Sequence, residues 1–139
     1  MVQPAAASTA SKVTLNPDTK YATPMYIIDS GKPGPVVLIV GGVHGNEPAG
    51  YKAATLMKDT KIGRGKLLVI PNANIIADTR GTRLISGEKD LNRAFPTSKY
   101  TTPSYKPARA IYQVIKDYKV DWLMDMHEGY GYSKQGSDS

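Results

Sequence analysis

No cysteine occurs among the 139 residues of this chain, which removes any disulfide framework and any thiolate metal site. Only two histidines are present, one phenylalanine and one tryptophan. No apolar run reaches the roughly 18–20 residues that a helix needs to span a bilayer. No block of five or six like charges occurs either, so neither an acidic tail nor a basic arm is encoded. The opening stretch "MVQPAAASTASK" lacks the apolar segment of a secretory signal. Residues 1–20 read as a flexible, small and polar leader without regular structure, and residues 21–139 as the N-terminal part of a single domain.

What is present is a basic balance: formal charge +6 and pI about 9.5. The cationic side chains are scattered, and no RNA-binding signature accompanies the nine tyrosines, so a nucleic-acid partner is not expected. An acidic substrate or an anionic setting such as a cell wall suits the charge better. The absence of cysteine fits an exported bacterial protein and a cytoplasmic one equally, while the charge and the polar leader lean toward export.

Periodicity gives the order of elements. "PMYIIDSG" (24–31) predicts a strand, and "VVLIVGG" (36–42) predicts one buried on both faces. "NEPAGYKAATLMKDT" (46–60) predicts a helix with Asn46 as N-cap, Pro48 in the first turn, and Ala53, Leu56 and Met57 on its apolar face. "KLLVIPNAN" (66–74) is a further buried strand. Residues 75–100 carry charges and glycines with little periodicity, and long irregular segments of that kind are often functional. A helix over 102–119, with Ala110, Ile111, Val114 and Ile115 at helical spacing, leads to a strand at 120–127. The expected fold class is α/β, a mostly parallel or mixed sheet flanked by helices.

In such sheets ligands gather at the carboxyl ends of strands, and both histidines fall there. His44 and Glu47 lie three residues apart across a strand-to-helix turn in "HGNE", and His127 ends a later strand in "DMH". Two imidazoles and one carboxylate, with a position left for water, form a catalytic zinc arrangement. Each residue has a plainer reading: a hydrogen-bonded structural histidine, or a glutamate favouring a helix dipole. The same ligand set also holds ferrous iron in oxygen chemistry, commonly on all-β scaffolds. Asp90 and Asp125 are placed to orient the imidazoles through hydrogen bonds. In "DLNRAFP", Asn92 and Arg93 suit a substrate carboxylate, and either Arg80 or Arg83 suits a developing oxyanion; alone, this would read as a solvated arginine-rich loop.

Taken together, "GGVHGNEPAG", the asparagine and arginine of "NIIADTRGTR", "DLNRAFP" and "DMH" resemble the zinc carboxypeptidase superfamily. The succinylglutamate desuccinylase/aspartoacylase branch is the one they are most similar to. The resemblance covers roughly residues 36–130, in order. It implies Zn2+ as cofactor with His44, Glu47 and His127 as ligands, and Arg83, nine positions after Asn74, as the arginine that polarises the scissile carbonyl. It further implies Asn92 and Arg93 as the grip on the substrate carboxylate, and Asp90 as the partner of the first ligand histidine. The 80-residue step from Glu47 to His127 favours the deacylase branch over digestive-type carboxypeptidases.

One departure stands beside these agreements. In the family the general base is a glutamate well downstream of the third ligand, and only twelve residues lie beyond His127. Glu128, adjacent to a ligand, is expected to point to the opposite face and is not taken as the base. The sequence therefore reads as the N-terminal, metal-binding part of one zinc-hydrolase domain, incomplete at its C-terminus, inactive alone, and partnered by the remainder of the same protein. Its expected reaction is hydrolysis of an amide next to a free carboxylate in a small molecule or peptide. The alternative is a non-catalytic module that binds metal or carboxylate ligands.

Overall fold

The computed structural model describes residues 8–95 and 105–129. Its elements in chain order are β1 (Thr9–Leu15), β2 (Thr23–Asp29), β3 (Val36–Gly41), α1 (Pro48–Met57), β4 (Lys66–Ile70), α2 (Ile75–Arg80), a 3-10 turn (Leu91–Arg93), α3 (Lys106–Asp117) and β5 (Trp122–Met126). The five strands form one sheet in the order β1-β2-β4-β3-β5. β3 runs parallel to both β4 and β5, while β2 is antiparallel to β1 and β4. The mixed α/β sheet expected from the sequence is the one observed. Among the described residues no helix is long and apolar enough to cross a membrane.

The β-branched run of β3 is explained by its central position. Leu38 and Val40 turn toward α3, where Leu68, Ile70, Ala108, Ile111 and Val114 pack around them. Ile39 turns the other way, into a cluster with Ile28, Val69 and Ala54 of α1. A strand covered on both faces has no solvent side and hence no polar alternation.

Four expectations are corrected. Thr9–Leu15, expected to lack regular structure, pairs with β2 along its whole length. Almost every residue of β1 is exposed, so burial left no alternating pattern to read. Residues 75–80, expected irregular, form α2, a single turn and a half too short to show periodicity. The N-cap of α1 is Glu47, not Asn46, and Pro48 is its first residue. Its buried residues are Gly50 and Ala54, with Met57 packed beside them; Ala53 and Leu56, both expected inward, are exposed, Leu56 at 75%. The first residues of the helix predicted over 102–119 lie outside the described residues, and α3 begins at Lys106.

β5 differs from the other parallel strands. It pairs with β3 on one side only, and Trp122, Leu123 and Met124 are 70%, 52% and 55% exposed. On the α3 side Leu123 lines a cavity of about 360 Å³ with Val40, Ile111, Tyr112 and Phe95. Asn92 and Asp125 supply its polar rim.

Candidate metal centre

β3 and β5 are parallel neighbours, so the residues just beyond each strand emerge at the same edge of the sheet. His44 sits in the turn from β3 to α1, and His127 is the first residue after β5. Glu47, at the N-cap of α1, lies between them. Its Oε1 is 2.9 Å from Nδ1 of His44, and its Oε2 is 2.7 Å from Nδ1 of His127. The two rings are 5.1 Å apart at their centroids.

Each imidazole is gripped from its far side as well. Nε2 of His44 is 2.9 Å from Oδ1 of Asp90, and Nε2 of His127 is 2.9 Å from Oδ2 of Asp125. Asp90 is itself anchored by accepting the Asn92 backbone N–H. A neutral imidazole has a single N–H. A protonated imidazole donates to the aspartate and to Glu47 at once; a neutral one whose outer nitrogen donates to the aspartate has an inner lone pair free for a cation. One atom from each of His44, Glu47 and His127 lies within 4.8 Å of the others. Two inward lone pairs and a carboxylate oxygen are a donor set that fits a divalent cation of the zinc type. These three residues form a possible metal site.

The electrostatics arise from these contacts. Burial acts most strongly on Glu47 and would raise its pKa. The Glu128 N–H and the two imidazoles together outweigh it and hold the carboxyl below its ordinary value. Asp90 is likewise lowered, with His44, the Asn92 N–H and Arg83 overcoming burial. His127 is raised, since Glu47 and Asp125 overcome the burial that would lower it.

Of the two candidate arginines, the structure brings Arg83 to the centre. Its Nη1 donates to Glu47 Oε1 at 3.3 Å, and its Nη2 is 3.7 Å from Asp90 Oδ2. Arg80 closes α2 and is exposed. Asn92 and Arg93 lie exposed on the 3-10 turn beside the centre, and the Arg93 guanidinium rests on the Asn92 carbonyl.

Two supporting roles were not legible in the sequence. An N-cap carboxylate ordinarily accepts a backbone N–H of the first turn, but Glu47 makes no such bond because its oxygens face the imidazoles. Glu128 fills that role instead, accepting the Ala49 N–H at 2.9 Å, while its own backbone N–H donates to Glu47. Glu88 accepts both the Tyr21 hydroxyl and the Lys20 ammonium at 2.8 Å, tying the 84–90 segment to the start of β2. Neither pairing has a local sequence signal, since the partners stand 67 to 81 positions apart.

Residues 33–135 match the model of a family described as the succinylglutamate desuccinylase/aspartoacylase catalytic domain. Among solved structures, the chain is 26% identical to a succinylglutamate desuccinylase/aspartoacylase of Rhodobacter sphaeroides. The match has a TM-score of 0.70 and covers 87% of this chain and 40% of that one. An aspartoacylase family protein of Mesorhizobium loti is 27% identical, with a TM-score of 0.70 over 86% of this chain and 40% of its own. A cell shape determinant protein of Helicobacter pylori is 27% identical, with a TM-score of 0.65 over 78% of this chain and 27% of its own. The chain thus spans about 40% of the length of the first two and less of the third. No curated protein sequence matches it.

Proposed function

The chain belongs to the succinylglutamate desuccinylase/aspartoacylase family, and from that membership we propose that it carries the metal-binding part of a zinc hydrolase. The reaction is cleavage of an amide bond adjacent to a free carboxylate, as in an N-acyl amino acid or the end of a peptide. The observation that carries this reading is the single buried carboxylate of Glu47 facing Nδ1 of both histidines.

His44, Glu47 and His127 hold the cation, and Zn2+ bound there supplies a Lewis acid and an acidified water. Asp90 and Asp125 keep the outer ring nitrogens protonated and the inner ones free. Arg83 reaches the same centre with a forked donor, suited to the oxygen of a scissile carbonyl as charge develops on it. Asn92 and Arg93, a few residues away on an exposed turn, anchor the substrate's carboxylate; a guanidinium does this bidentately.

A proton must also be moved, and this chain has no glutamate to spare for it. Its three glutamates are Glu47, Glu88 and Glu128. Glu47 faces the histidines, Glu88 is bonded to Tyr21 and Lys20, and Glu128 caps α1. Since the family resemblance implies a glutamate further along the chain as general base, we assign that role, and the covering of β5, to polypeptide outside this sequence. The same observation favours a second reading, a module that binds metal or carboxylate ligands without catalysis.

Metal analysis of the purified chain after zinc loading tests the proposal. One zinc per chain is expected, with loss from His44→Ala in competition with a chelator at neutral pH. Equal zinc in both proteins would remove the site assignment. Hydrolysis of N-acyl amino acids by the zinc-loaded chain joined to the remaining part of a family domain separates enzyme from binding module.

A further inference from the structure

His44 is flanked by glycines, and two of them abut one short stretch of α2. A side chain at Gly42 would run into the Asp78 carboxyl, and one at Gly45 would run into the Ala77 carbonyl and the Asp78 N–H. Gly42 also holds φ +70°, a left-handed conformation that disfavours other residues. The two chain segments are tied below this contact, where the Ala73 and Asn74 N–H groups donate to the Gly41 and Gly42 carbonyls at 2.9 and 2.8 Å. Asp78 accepts the Asn72 side-chain amide on Oδ2 at 2.9 Å. Its Oδ1 is buried with no hydrogen-bond partner among the described residues.

We propose that Asp78 is a positioning residue for the first metal ligand: its carboxyl, held by Asn72, fills the space under Gly42 and fixes the turn that aims His44 at Glu47. The hydrogen-bond partner of the Asp78 side chain is Asn72, not His44 or Glu47, and Asp78 takes no part in the reaction proposed above. Burying a carboxyl with one amide partner costs stability. Alanine at 78 would relieve that cost but would leave the space under the turn unfilled. Burial pushes the Asp78 carboxyl up to about 7, against the lowering influence of the Asn72 amide. Near neutrality much of it is therefore the uncharged acid, which sits in such a place at lower cost than the ion.

This inference rests on the metal-centre reading for its zinc readout but not for its structural one. With only two histidines in the chain, the imidazole nitrogen signals of the 15N-labelled protein are readily assigned. Asp78→Ala is expected to shift the His44 ring signals in the metal-free protein and to weaken zinc about ten- to hundredfold, the usual effect of losing a supporting partner. Asp78→Asn, which keeps the shape and an acceptor for Asn72, should preserve both.

Gly42→Ala should also weaken zinc. Combined with Asp78→Ala it should cost less than the product of the two single effects, because the truncated residue makes room for the methyl. The backbone strain at 42 is present in both backgrounds and cancels. If Asp78→Ala does not fold, Asp78→Ser truncates the same carboxyl and carries the same readouts. Unchanged His44 signals in the truncated variants, or fully multiplicative losses, would overturn the proposal. Should the parent chain bind no zinc, the metal reading fails, and the ring signals alone still decide the role of Asp78.

Discussion

The two histidines of the centre are held in unequal ways. His44 is 2% exposed, set in the turn from the interior strand β3 to α1 and against α2. Its ring is fixed by Glu47 and Asp90, and its turn is seated against α2. His127 has 31% of its side chain exposed and comes directly after a strand with one neighbour. One side of the site is thus an outgrowth of the core, and the other is an extension of an open sheet edge. Parallel strands are ordinarily covered on both faces, and β5, which leads to His127, departs from that rule.

Truncation at matched positions should expose the difference most strongly. Leu38→Ala on β3 empties a fully buried position and is expected to cost about 2–5 kcal/mol in urea unfolding. Leu123→Ala, its partner in register on β5, removes a half-exposed side chain and should cost about 0.5 kcal/mol or less. Similar losses at both positions would mean that β5 is covered in solution. At the centre itself, Asp90→Asn should weaken zinc by about ten- to hundredfold. Asp125→Asn should weaken it less, because the solvent that reaches His127 can replace the lost bond. A larger effect at Asp125 would reverse the inequality.

The smallest expected effect concerns pH. Asp78 titrates at about 7 in the folded chain against an ordinary 3.8, so between those values the folded state retains a proton that the unfolded state has released. Stability therefore declines as pH rises from about 4 to about 7. Allowing for the water that still reaches the residue, the change is on the order of 1–2 kcal/mol. Asp78→Asn should remove that slope and be the more stable protein at pH 8. Parallel stability profiles for the two proteins would show that the carboxyl is not desolvated in the folded state.

Sequence patterns disclosed the parts of the fold in which burial imposes a period. β3 and β4 read as buried runs, and α3 as an amphipathic helix whose Ile111 and Val114 face inward. The three possible metal ligands were legible because a scarce residue type fell twice at strand ends. Elements that bury little left no such mark: β1 is solvated along almost its whole length, and α2 has six residues. For α1 the inward stripe runs through Gly50 and Ala54, residues too small to stand out, while exposed Leu56 drew attention to the wrong face. The diversion of Glu47 from helix capping to the histidines, and its replacement by Glu128, depends on contacts about 80 positions apart. No local pattern encodes an exchange of that kind.

Glu47 has a mechanical consequence too. In a chain without cysteine, its carboxylate bridges the turn after β3 to a histidine 80 positions further on. That bridge acts as a reversible cross-link, closing a long loop and pinning the end of the edge strand β5 to the turn after β3. A cation in the same place would tighten it, because whatever binds the folded state alone shifts the equilibrium toward it. Slowed amide exchange at Met126 on loading would then report how firmly the clasp is shut.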